Sequence, residues 1–118
     1  LYDTGHLLFA KANYENILKK YISRINHVHC KDIRRNILEK SLIEDLSFRD
    51  AFLNGVFTVP GDGCIDYKPL LKILKLNNYN KWLVVEAEQD PKIANPLEYA
   101  KIGNNYLTKI INNAGYKL

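Results

Sequence analysis

Residues 25–32 read INHVHCKD, and the conformation of this stretch decides the fold. Side chains on a β-strand alternate between its two faces. His27, His29 and Lys31 therefore point one way, and Asn26, Val28 and Cys30 the other. A buried sheet face is normally apolar, so three nitrogen-bearing side chains in register indicate a wet, charged or metal-bearing face. An exposed edge strand could carry the same residues, and the stretch alone leaves both readings open.

The flanking sequence favours a strand within an α/β protein. Upstream, Tyr14, Ile17, Leu18, Tyr21, Ile22 and Ile25 recur at the spacing of one helical face, predicting a helix over 13–24. Downstream, a polar helix is expected over 36–45, then a short one opened by Ser47 and closed near Gly55, with Phe52 and Leu53 inward. Val56-Phe57-Thr58-Val59 reads as a third strand stopped by Pro60, and Gly61-Asp62-Gly63 as a turn. Asp66 is placed to cap a helix that turns Leu70, Leu71, Ile73 and Leu74 inward and ends at Asn77-Asn78. Trp82-Leu83-Val84-Val85 is the clearest buried strand. Asn95-Pro96-Leu97-Glu98 is a helix start with cap, first-turn proline and capping-box glutamate, leading to a stop at Gly115. Strands alternating with helices at this spacing indicate βαβ units and a parallel sheet, either doubly wound or closed into a barrel.

Composition narrows the function classes. The 118 residues are 47% hydrophobic and 25% charged, the balance of an ordinary soluble domain. No apolar run approaches the roughly 20 residues of a membrane span, and the start carries no secretory pattern. Cys30 and Cys64 form neither a CxxC pair nor a disulfide framework, so reduced thiols in the cytoplasm are expected. The formal charge of +4 comes with scattered lysines and no basic run, which indicates solvated helix faces rather than a nucleic-acid surface. With no methionine and Leu1 as first residue, the chain is expected to be a piece of something longer.

In open α/β sheets and in barrels alike, function gathers at the carboxyl ends of the strands. Here those ends hold Asp3-Thr4-Gly5-His6, His27 to Asp32, Pro60 to Gly63, and Glu86 to Asp90. Val84, Glu86 and Glu88 share one face while Leu83 and Val85 pack under helices, so both glutamates would point inward. An inward carboxylate needs a cation; a metal or a structural ion pair with Lys31 would each serve. Asp3, His29 and Glu86 together form an oxygen-rich set with one imidazole, suited to Mn²⁺, Mg²⁺ or Co²⁺ more than to structural zinc. Cys30 faces the other way and reads as packing. His27 reads equally as a support for His29 or as a plain buried histidine.

Four blocks, DTGHLLFA, HVHCKD followed by arginine, FTVPGDG and WLVVEAEQDP, resemble in that order the C-terminal half of the inosose dehydratases, within the xylose-isomerase-like TIM barrels. The FTVPGDG and VVEAEQDP blocks are the specific ones. The resemblance covers nearly the whole chain and implies the C-terminal half of a (β/α)₈ barrel. That makes residues 1–118 one partial domain, with the last three complete βα units and the end of a preceding strand with its helix. It implies one divalent metal, Mn²⁺ or Co²⁺ with Mg²⁺ as the alternative, held by Asp3, His29, Glu86 and a glutamate from an earlier strand. It places His6 on substrate hydroxyls and a substrate-facing arginine at Arg34 or its neighbour Arg35, the spacing favouring Arg34. Glutathione is admitted as a cofactor by the resemblance only.

The implied reaction removes water from 2-keto-myo-inositol (scyllo-inosose), a cyclic polyol ketone, in inositol catabolism. A metal would stabilise the enediolate, with Lys31 and Glu88 as acid–base candidates. No nucleic-acid or membrane partner is expected, and a homo-oligomer is compatible. A ketose isomerase or epimerase of the same fold would use the same metal, and is disfavoured by the VPGDG and EAEQDP blocks. A zinc-dependent abasic-site endonuclease would need a histidine-rich multi-metal site that three histidines do not supply. A half-barrel on its own has open strand edges, so the isolated chain is expected to be inactive, a weak metal binder, or paired with a copy of itself.

Overall fold

The computed structural model describes residues 1–116. Strand β1 (Tyr2–Asp3) runs directly into helix α1 (Thr4–Phe9), followed by α2 (Tyr14–Tyr21) with a 3₁₀ turn at Ile22–Arg24. Strands β2 (His27–Cys30) and β3 (Asp32–Ile33) then precede α3 (Arg35–Ile43) and α4 (Phe48–Leu53). The remaining elements are β4 (Phe57–Thr58), α5 (Tyr67–Leu76), β5 (Trp82–Val85) and α6 (Pro96–Asn113).

The parallel sheet has the order β1-β2-β5. Tyr2 and Asp3 pair with Val28 and His29, and His27 to Cys30 pair with Trp82 to Val85. Helical connections between parallel neighbours are the signature of an α/β layer architecture. One face of β2 supplies Val28 and Cys30 to a core with Tyr2, Leu18, Leu70, Leu71, Leu74, Leu107 and Ile110. Burial pushes the Cys30 thiol up to about 12, fitting its packing role.

The expected third strand is not in this sheet. Phe57–Thr58 pairs antiparallel with Asp32–Ile33, forming a separate two-stranded ribbon. The reason is geometric: β2 and β5 are direct neighbours over all four residues, leaving no place between them. Pro60 ends the run after Val59, as its missing N–H requires. Residues 31–66 are thus a long excursion from the carboxyl end of β2, with a small core of Ile33, Leu38, Ala51, Val56 and Phe57.

The helix starts follow local chemistry. Asn13, Ser47, Asp66 and Asn95 each accept a backbone N–H of the first turn through their side chains. Gly115, with φ of 77°, follows the last helix, as a left-handed stop requires. Two expectations are corrected. Trp82–Val85 is a strand at the edge of the sheet, but none of its four residues is fully buried and Trp82 is 70% exposed. In α4 it is Ala51 that is buried, while Leu53 faces solvent. Helix α1 is absent from the sequence reading. No helix among the described residues is long and apolar enough to cross a membrane.

Candidate metal centre

Three strand ends converge at the carboxyl edge of the sheet. The register sets Asp3 beside His29, and Glu86 continues β5 by donating its N–H to the Cys30 carbonyl. Asp3, His29 and Glu86 each offer one ligand atom, and these atoms lie within 4.8 Å of one another. Asp3 does two tasks: Oδ1 accepts the His6 N–H, capping α1, while Oδ2 faces the cluster.

The geometry fits a cation. His29 Nδ1 stands 2.6 Å from Glu86 Oε2. Yet this buried oxygen accepts no hydrogen bond, although Lys31 Nζ also lies 3.4 Å from it. An imidazole nitrogen and two carboxylate oxygens this close together could hold a metal ion. Charge agrees: Asp3, Glu86 and Glu88 gather around one ammonium, so three negative groups and one positive leave a formal −2. One nitrogen and two carboxylates suit a divalent ion that accepts oxygen ligands.

Lys31 is the hub of the cluster. Its side chain is buried, and Nζ reaches Glu88 Oε2 at 2.6 Å, His6 Nε2 at 2.9 Å, and Asp3 and Glu86 at 3.4 Å each. Burial alone would lower its pKa. The Glu88 hydrogen bond and the charges of Asp3, Glu86 and Glu88 outweigh that cost and hold it above the usual lysine value. The ion pair weighed for Lys31 thus forms chiefly with Glu88, while Glu86 stays on His29. The stem of Lys31 passes against Gly5, where a Cβ would stand 2.7 Å from Cγ.

Two residues that sequence reasoning passed over fix the Lys31 backbone. Thr4 Oγ1, fully buried, donates to the Lys31 carbonyl at 2.6 Å and accepts its N–H at 3.1 Å. Tyr67, from α5, donates to the same carbonyl at 2.9 Å, and burial raises its phenol well above the usual range. The threonine directly after the strand-end aspartate was the available signal. An aromatic wall flanks the site: His6 lies 5.0 Å from Phe57 and 6.1 Å from Phe48, and Lys31 Nζ stands 5.3 Å over Phe57.

Other sequence candidates lie elsewhere. His27 is exposed at the opposite end of β2, and its side chain makes no hydrogen bond among the described residues, so it neither supports His29 nor is buried. Strand alternation placed it on the right face but not at the right depth. Arg35 is exposed beside Cys64. Arg34 is bound to protein groups, donating to Gly55 O, Phe57 O, Asp62 and the Tyr99 hydroxyl. Asp32, also fully buried, accepts the N–H groups of Ile33 and Ile65 and so ties the two ends of the excursion together.

Comparison with known proteins places this arrangement. The chain is 55% identical over 113 residues to an inosose dehydratase of Bacillus licheniformis, covering 96% of this chain and 38% of the relative. It is 58% identical over 107 residues to that of Clostridium botulinum, covering 91% and 36%. With the inosose dehydratase of Lactiplantibacillus plantarum the identity is 51% over 107 residues, covering 91% and 36%. The chain thus spans little more than a third of the length of these relatives. A family model described as xylose isomerase-like TIM barrel matches residues 1–110. With parallel strands delivering Asp3, His29 and Glu86 to one mouth, the chain belongs to the xylose isomerase-like TIM barrel family.

Proposed function

We propose that this chain is the C-terminal wall of a barrel lyase that dehydrates 2-keto-myo-inositol to a trihydroxycyclohexane-dione, in the cytoplasm. Residues 1–118 are taken as one partial domain of that barrel. The observation that carries the reading is the convergence of Asp3, His29 and Glu86 beside a buried Lys31–Glu88–His6 cluster. Similarity to proteins named inosose dehydratase supports the choice of substrate.

Asp3, His29 and Glu86 would hold Mn²⁺ or Co²⁺, with a further ligand from outside this chain. When bound, such an ion polarises the substrate carbonyl as a Lewis acid, making the adjacent C–H acidic. Glu88 takes the proton from the carbon next to the carbonyl. Lys31 donates a proton to the β-hydroxyl as its C–O bond breaks, and water leaves. The 2.6 Å hydrogen bond between Glu88 and Lys31 then returns the abstracted proton to the amine, so both groups are restored. His6, 3.1 Å from Glu88 and 2.9 Å from Lys31, orients the departing hydroxyl. The Phe57 and Phe48 rings exclude water from that side.

The test is turnover by the full-length protein with Mn²⁺. Incubation with scyllo-inosose should generate the ultraviolet absorbance of a conjugated dione, and ketohexoses should be returned unchanged. Interconversion of ketohexoses without dione formation would establish the isomerase reading instead.

A further inference from the structure

We propose that Arg34 is a positioning residue that acts through Gln89 on Glu88, and does not bind substrate. This rests on the reading of Glu88 as an acid–base group and deepens it. The guanidinium spends its terminal donors on protein. Nη1 donates to the carbonyls of Gly55 and Phe57 at 2.7 and 3.2 Å. Nη2 donates to Asp62 Oδ2 at 2.8 Å and to the Tyr99 hydroxyl at 3.2 Å, and the cation lies 5.6 Å over the Tyr99 ring. With its amide oxygen turned to the guanidinium, Gln89 accepts from Nη2 at 2.9 Å and from Nη1 at 3.3 Å. Five acceptors therefore share the four Nη hydrogens, and none is left for a ligand.

These partners come from five separate places: the turn after α4, strand β4, the Gly61–Gly63 turn, the segment after β5, and α6. Arg34 ties the excursion to the segment that carries the second glutamate. That segment needs tying. Glu88 has φ of 56°, a left-handed conformation that a non-glycine residue adopts at a cost and keeps only when its surroundings hold it. Its side chain is held by Lys31 and His6 on one side. Its backbone is followed at once by Gln89, whose amide is clamped by Arg34. Lysine could not replace the arginine, because a single ammonium cannot span acceptors that the planar fork reaches together.

The experiment compares Arg34→Ala, Arg34→Lys, Gln89→Ala and Gln89→Glu in the full-length protein, by crystal structure and by steady-state kinetics on scyllo-inosose. In Arg34→Ala and Gln89→Ala, Glu88 should leave the left-handed region and separate from Lys31. In both, kcat should fall at least tenfold with KM within twofold of wild type. The double variant should be no slower than the worse single one. Arg34→Lys should resemble Arg34→Ala, whereas Gln89→Glu, which offers the guanidinium a carboxylate, should keep kcat within threefold. Glu88 unmoved in the Arg34→Ala structure would overturn the proposal. So would a tenfold rise in KM at unchanged kcat with Gln89→Ala silent, which would make Arg34 a substrate ligand. Wild-type protein without dehydratase activity would remove the assigned reaction but leave the structural arm to decide the role of Arg34.

Discussion

Gly5 is the floor on which the Lys31 side chain rests: a Cβ on Gly5 would stand 2.7 Å from Lys31 Cγ and 3.0 Å from both Cβ and Cδ. Gly5→Ala should therefore lift the stem and detach the ammonium from Glu88 and His6. The expected cost is about 1–3 kcal/mol of stability, typical of overpacking, with a larger fall in turnover than in stability. Thermal unfolding and kcat measured on the same preparation of the full-length protein check this; normal kcat would mean that the stem has room to move.

Glu86→Gln keeps the shape of the side chain and removes the charge that faces His29. Mn²⁺ affinity of the full-length protein, read by titration calorimetry, should weaken by more than the roughly 10–100-fold that follows loss of a partner behind a ligand, and turnover should disappear. Tight Mn²⁺ binding with near-normal rates would take Glu86 out of the ligand set.

Thr4→Val should be costly although the volume is conserved. The hydroxyl both donates to the Lys31 carbonyl and accepts its N–H, and valine would leave that buried N–H without a partner. The loss should be about 1–3 kcal/mol, read as a shift in the urea midpoint at constant slope. An unchanged midpoint would show that water or another group takes over.

Asp32 predicts a pH dependence. Burial raises its pKa above the ordinary carboxylate value, against the lowering effect of the surrounding backbone N–H groups. A carboxyl raised in the folded state binds its proton more tightly folded than unfolded, so its ionisation opposes folding. The opposition is complete above the folded pKa, relaxes as pH falls through that pKa, and is gone below the unfolded one. Asp32→Asn keeps the Oδ1 acceptor for Ile33 and Ile65 and removes the titration. The stability of wild type relative to Asp32→Asn should therefore rise as pH falls from 7 toward the ordinary carboxylate range. Thermal unfolding at a series of pH values measures it, and parallel curves would assign the effect elsewhere.

Where local chemistry decides the outcome, the sequence is readable. The alternation in INHVHCKD, the caps at Ser47, Asp66 and Asn95, and the apolar face of α5 all stand in the structure as the residue pattern implies. Tertiary pairing is where it ceases to be readable. Val56–Val59 has strand composition, but only the adjacency of β2 and β5 reveals that its partner is β3. Helix α1 has six residues, two of them Thr4 and Gly5, and owes its form to the Asp3 cap and the Lys31 contact. His27 shows that alternation gives the face of a strand and not the depth along it: it is exposed while Lys31, four residues on, is buried. The KDIR spacing singles out Arg34 but not its bonds to protein groups, since those partners lie 21 to 65 positions away.

Because β2 and β5 are hydrogen-bonded neighbours, the whole path from Lys31 through Asp66 leaves and re-enters the frame without contributing a rung to the parallel ladder. Asp3, His29 and Glu86 stand on the ladder or directly at its end, whereas the Phe48 and Phe57 rings belong to the detour. The division makes this mouth modular: replacing the detour can change which molecule is admitted while the strand ends that would grip the ion keep their register.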